Sequence, residues 1–194
     1  MYTTISKNNF RRQVFFDIEK KDFSGCFIAG GEIRDALLGV ESSDVDMFGA
    51  NTNLDIFRNN VLSGCKQVFD SVQLKTFIKE DKKIQLIYRD LKTPEEAMDG
   101  FDFTICKFSY NGDIVCDPDA LVHLFTKRLV INRLNPDFVV DSMRRMQKYI
   151  QKGYNICDGG IADMVKVIRQ AEQEKIDKSL TFYPDGTRRI GRWD

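Results

Sequence analysis

Apolar and polar residues change rhythm along this chain, and the rhythm predicts its elements. Cys26-Phe27-Ile28-Ala29 is a short apolar run ending at Gly30-Gly31, the pattern of a strand entering a turn. Glu32 to Leu38 follows with helical spacing and stops at Gly39. Val45 and Met47 then alternate with Asp44 and Asp46, the period of two of a strand with one buried face. Asn53 to Leu62 reads as helix; Gln67 to Phe69, Leu74 to Ile78 and Lys83 to Tyr88 read as strands. Thr93-Pro94-Glu95-Glu96 starts a helix, with a hydroxyl cap, a proline in the first turn and acids at the positive end of the dipole. Phe103 to Tyr110, part of it helical, and Asp113 to Cys116 flank Asn111-Gly112, a hairpin turn signal. From Asp119 onward the period is helical, strongest over Asp137 to Lys152 and again over Ala162 to Ile176. Phe10, Val14, Phe15 and Ile18 predict a leading amphipathic helix. The tail from Ser179, with Pro184-Asp185-Gly186 and Arg188, Arg189 and Arg192, predicts an exposed hairpin or loose arm.

Mixed strand and helix therefore give way near residue 130 to almost pure helix. The expected fold class is α+β. A helical lead (1–24) precedes a domain with a small mixed sheet and flanking helices (25–130). A short helical neck (131–178) and a basic tail (179–194) follow.

Composition narrows the function classes. The 194 residues carry 29 Lys+Arg against 29 Asp+Glu, which argues against coating nucleic acid by bulk charge. Lys127 to Lys152, however, holds seven basic and two acidic residues. That stretch reads either as a basic face for nucleic acid or triphosphate, or as a solvated helix surface. The five cysteines form no C-x-x-C pair and read as free thiols of a reducing compartment, with the cytoplasm as the expected location. His123 is the single histidine, so a zinc site is not expected and His123 reads as structural. No stretch approaches the length of a membrane span.

The candidate chemistry lies between Gly30 and Met47. Adjacent glycines let the backbone approach a ligand, and a helix that begins directly after them suits a phosphate. Asp44 and Asp46 project from one face of a strand, and the simplest remedy for their repulsion is a hard divalent cation. Either feature alone is ordinarily a turn or a solvated surface. The order strand, Gly-Gly, helix, Asp-x-Asp strand favours a phosphate and Mg²⁺ (or Mn²⁺) site.

Gly30-Gly31-x-x-Arg34-Asp35-x-Leu37-Leu38-Gly39 followed by Asp44-x-Asp46 resembles the head domain of the class II tRNA nucleotidyltransferases and bacterial poly(A) polymerases, of the polymerase-β nucleotidyltransferase superfamily. Phe101-Asp102-Phe103-Thr104-Ile105-Cys106 is similar to that family's Arg-Asp-Phe-Thr-Ile-Asn segment. Asp117-Pro118 with Leu124, ahead of Lys127-Arg128, is similar to its Asp-Pro…Asp-Leu…Arg stretch, and Asp141-Ser142-Met143-Arg144 to its neck-helix Glu-Asp-x-x-Arg. The resemblance covers about residues 25–155.

The resemblance implies that Asp44 and Asp46 bind the catalytic metal ions. It implies that Gly30 and Gly31 hold the triphosphate of an NTP with Arg34 nearby, and that Asp141 and Arg144 read the incoming base. Asp141, Arg144 and Lys148 would then lie opposite a buried stripe of Val139, Met143, Met146 and Ile150; an ordinary surface ion pair is the other reading of Asp141 and Arg144. The implied reaction moves an NMP from an NTP to an acceptor hydroxyl, first an RNA 3′ end (of tRNA or another RNA). Nucleotidylylation of a protein or small molecule, or nucleotide binding without catalysis, are the alternatives. The sequence departs from the family at several places. Gln85 stands on the strand where a third carboxylate would be sought, which leaves Asp102 as a third ligand or a base-side group. Phe101 replaces an arginine, so Arg89, Lys107 or Arg34 would have to serve phosphate; Val140 replaces a glutamate and Cys106 an asparagine. Trp193 and the tail arginines are candidate RNA contacts.

Overall fold

The computed structural model describes residues 2–5, 23–42, 44–79, 81–172, 181–182 and 188–189. The predicted leading helix (Phe10 to Ile18) and Trp193 lie outside them. The chain forms two compact units: Met1–Phe101 with Ile105–Val122, and Asp102–Thr104 with His123–Asp194.

The first unit is built on strands β1 (Thr3–Ile5), β2 (Phe27–Ala29), β3 (Asp44–Phe48), β4 (Lys66–Asp70), β5 (Leu74–Lys79), β6 (Lys82–Ile87), β7 (Phe108–Tyr110) and β8 (Ile114–Cys116). They form one sheet in the order β1-β8-β7-β2-β3-β6-β5-β4. β3 and β6 pair parallel; every other neighbouring pair is antiparallel, so the sheet is mixed. Helices α1 (Gly31–Leu37), α2 (Asn51–Val61) and α3 (Pro94–Asp99) flank it. The expected mixed-sheet α+β class is therefore what the chain adopts. β1 was not expected: residues 3–5 add a strand to β8, with Thr3 opposite Cys116.

Burial follows the alternation read from the sequence. Val45 and Met47 point into a core with Ile28, Leu54, Phe57, Ile84 and Leu86, whereas Asp44 and Asp46 stand on the opposite face of β3. α3 starts with a full capping box: the Glu96 amide donates to Thr93 Oγ1 (3.3 Å) and the Thr93 amide to Glu96 Oε2 (3.4 Å).

The second unit contains helices α5 (Val139–Gln151) and α6 (Asp158–Gln170), and helix α4 (Pro118–Phe125) runs into it. Strands β9 (Thr181–Phe182) and β10 (Arg188–Arg189) pair antiparallel, as a hairpin in the tail requires. Two sequence expectations are corrected here. The buried stripe of α5 is Val139, Ser142 and Tyr149, while Met143 and Ile150 are 40% and 44% exposed. Tyr149 takes the inner position because it packs edge-on to Phe103 and Tyr154, at 5.6 and 6.1 Å between centroids. Ser142 is buried at little cost because its hydroxyl donates to the Phe138 carbonyl (3.2 Å). α6 starts at Asp158, four residues before Ala162, and takes in Gly159-Gly160. A β-carbon at Gly160 would come within 2.8 Å of Ile156 Cγ1, so close packing puts glycine inside this helix.

Candidate active site

The site is assembled at the junction of β2, α1 and β3. Gly30 ends β2 with φ 98° and ψ −134°, a conformation that excludes side chains. Its amide donates to the Phe108 carbonyl (2.9 Å), which ties the turn to β7. A β-carbon at Gly30 would sit 3.3 Å from Phe101 Cζ, and one at Gly31 3.3 Å from Arg34 Nη2. The packing and positive φ thus favour glycine at position 30, whereas a β-carbon at 31 would meet only the tip of the Arg34 side chain. Phe101 packs edge-on to Phe48 (6.0 Å) and covers the turn, which is the work done by the aromatic at this position. Arg34 is buried: Nε and Nη2 reach Asp35 Oδ1 at 2.8 and 2.7 Å, and Nη1 donates to Cys106 Sγ at 3.6 Å. Its guanidinium holds α1 and the Cys106 segment together behind Gly31.

On β3, Asp44 lies opposite Lys83 and Asp46 opposite Gln85 of β6. The Oδ1 atoms of Asp44 and Asp46 are both sealed from solvent and have no hydrogen-bond partner among the described residues; Asp44, whose side chain is otherwise partly exposed, forms a long ion pair with Lys83 Nζ, 3.9 Å from Oδ1. Burial first, then the charges of Asp44 and Glu32, push the Asp46 carboxyl up to about 7. A carboxyl so placed is held either by a proton or by a cation.

Glu32 is the residue that sequence reading left unassigned. It lies in the first turn of α1, is 3% exposed, and neither carboxylate oxygen has a partner among the described residues. Burial raises its carboxyl above the usual range; Ser42 and Lys82 partly relieve it, and Asp35 and Glu41 act against them. The available signal is an acid directly after Gly-Gly, at the start of a helix.

Lys107, a candidate phosphate contact in the first unit, is instead paired with Asp117 (2.8 Å) and Asp99 (3.2 Å), whereas Asp102, Asp141, Arg144 and His123 belong to the second unit. Asp102 accepts from Arg145 Nε, and its carbonyl accepts from the amides of Asn132 (2.7 Å) and Arg133 (3.3 Å). Its carboxylate is therefore engaged in an ion pair on α5. Arg144 Nη1 donates to Asp141 Oδ1 at 2.9 Å, the i,i+3 pair that the spacing allowed. His123 Nδ1 lies 2.8 Å from Thr104 Oγ1, a structural placement.

Among the described residues, no three His, Cys, Asp or Glu side chains are gathered as a ready metal cluster. The two orphaned aspartate oxygens nevertheless fit a hard, oxygen-loving cation such as Mg²⁺, which takes one or two carboxylates and completes its shell with water and phosphate.

A family model described as "Gabija anti-defense 2 family protein" matches residues 5–127. The chain belongs to that family. No curated protein matches it in sequence. Among solved structures, the chain is similar to the Thermotoga maritima CCA-adding enzyme complexed with tRNA, at 16% identity and TM-score 0.66, over 95% of this chain and 48% of that one. A CCA-adding enzyme complexed with CTP matches at 13% identity and TM-score 0.64, over 92% and 49%. One complexed with ATP matches at 15% and 0.63, over 95% and 49%. These likenesses are of fold, and this member of the Gabija anti-defense 2 family spans about half the length of the enzymes it matches. Among the described residues no helix is long and apolar enough to cross a membrane.

Proposed function

We propose that this protein is a metal-dependent nucleotidyltransferase that moves an NMP from an NTP to an acceptor hydroxyl, with an RNA 3′ end as the first acceptor. The observation that carries the reading is the pair of buried oxygens on Asp44 and Asp46 without hydrogen-bond partners among the described residues, beside the glycine turn of a fold shared with CCA-adding enzymes. Asp44 and Asp46 would hold Mg²⁺ or Mn²⁺, which when bound polarises phosphate oxygens and makes a hydroxyl more acidic. The chain's own residues orient and exclude. Phe101 and Phe48 wall the Gly30 turn with hydrocarbon and keep water from that side. Arg34, fixed by Asp35, keeps Gly31 and the start of α1 in place for the triphosphate. Asp141 and Arg144, already paired on α5, offer an acceptor and donors to a base edge. The acceptor oxygen forms a bond to the α-phosphorus as the bond to pyrophosphate breaks.

A second reading, transfer to a protein hydroxyl, is favoured by the family name: counteracting a defence system is served directly by modifying one of its components. Incubation with each labelled NTP, Mg²⁺ or Mn²⁺, RNA and candidate proteins separates the readings by where the label appears. The Asp44→Ala/Asp46→Ala double variant should lose metal-dependent pyrophosphate release while keeping its circular dichroism spectrum. Full activity in that variant overturns the assignment.

A further inference from the structure

We propose that Glu32 is a third acidic residue of the cation site, joining Asp44 and Asp46 when a divalent ion is loaded. The inference rests on the nucleotidyltransferase reading and adds to it a residue that the Gly-Gly-x-x-Arg-Asp pattern leaves open. Glu32 is 3% exposed, and both its oxygens lack a hydrogen-bond partner among the described residues. The Ser42 hydroxyl, which eases the Glu32 charge, donates to the Asp44 carbonyl (3.0 Å). A carboxylate buried this way costs stability that an alanine or valine would not, so its presence calls for a charge-dependent partner. α1 packs against β3, and the Glu32 charge is felt at Asp46. The charges of Asp44 and Glu32 both act on Asp46, while Lys83 lies beside Asp44 and Lys82 eases Glu32. The three acids are not gathered in the present arrangement. A side chain with three rotatable bonds, on a helix held by the Arg34–Asp35 pair, can reach an ion directly or accept hydrogen bonds from the waters that Mg²⁺ retains.

The test is Mn²⁺ binding by the full chain, measured by electron paramagnetic resonance and by the thermal shift that Mn²⁺ causes. Glu32→Gln should bind Mn²⁺ about tenfold more weakly, as loss of a supporting ligand typically does. Glu32→Asp, which keeps the charge, should recover part of the loss. In EDTA, Glu32→Gln should unfold at the same or a higher urea concentration than the parent, so a weaker Mn²⁺ response cannot be put down to a damaged fold. Parental Mn²⁺ affinity in Glu32→Gln overturns the proposal. The Asp44→Asn/Asp46→Asn variant separates the two levels. If it loses Mn²⁺ while Glu32→Gln does not, only the role of Glu32 falls; if it binds Mn²⁺ normally, the nucleotidyltransferase reading falls with it.

Discussion

Replacing Asp46 by asparagine should stabilise the metal-free protein at neutral pH while removing its cation response. The folded-state carboxyl titrates at about 7 against an ordinary value of 3.8, chiefly because burial disfavours its charge. Between those pH values the unfolded chain releases its proton and the folded chain keeps it. Stability is therefore full below about pH 4 and falls as pH rises through 7. At 1.36 kcal/mol per unit, the loss is at most ~4 kcal/mol. Relaxation and water entry around the carboxylate bring the expected value to about 1–3 kcal/mol. Asparagine carries no charge, so Asp46→Asn should escape this loss. Urea unfolding followed by circular dichroism in EDTA, from pH 5 to pH 8, measures it directly. The parent should lose stability across that range and the variant should lose less, because Glu32, also raised by burial, contributes a slope of the same sign. Added Mg²⁺ should restore the parent at pH 8 and leave the variant unchanged. A variant no more stable than the parent at pH 8 in EDTA would show that Asp46 is not a frustrated acid, and the argument for a cation there would fail.

Gly30→Ala should destabilise the first unit by about 1–3 kcal/mol, since its positive φ admits no β-carbon and the methyl would press on Phe101; the urea midpoint reports it. The rotation of α5 relative to its sequence pattern is tested by a pair of variants. Tyr149→Ala should cost about 3 kcal/mol or more through loss of the edge-on Phe103–Tyr149–Tyr154 contacts, whereas Met143→Ala should fall within about 0.5 kcal/mol. Equal costs would restore the stripe expected from sequence.

Local chemistry was legible where it is short-range. The Thr93 cap with Pro94 in the first turn, the Asn111-Gly112 turn and the Asp44/Asp46 alternation all depend on neighbours within a few positions, and each appears as read. Partners distant in sequence were not legible. β1 exists because Thr3–Ile5 meets Ile114–Cys116, a pairing that a three-residue run cannot announce. α5 presents Tyr149 inward because Phe103 and Tyr154 await it, and hydrophobicity alone ranked Met143 and Ile150 above a tyrosine and a serine. In the site, the strand acids were visible through their period of two. Glu32 was hidden because a charged residue in a helix pattern ordinarily faces solvent, whereas Glu32, Arg34 and Asp35 of α1 are all buried.

The excursion of Asp102–Thr104 into the second unit has a consequence for anyone who would divide the chain. Phe103 pairs with Ile131 and meets Tyr149 edge-on, yet Ile105–Val122 returns to the sheet. A protease nick or a gene boundary at 122/123 would leave that phenylalanine on the wrong fragment and strip Tyr149 of its neighbour. Two separately expressed halves should therefore behave worse than either fold alone would suggest, and a split protein reassembled from them would depend on a three-residue loan.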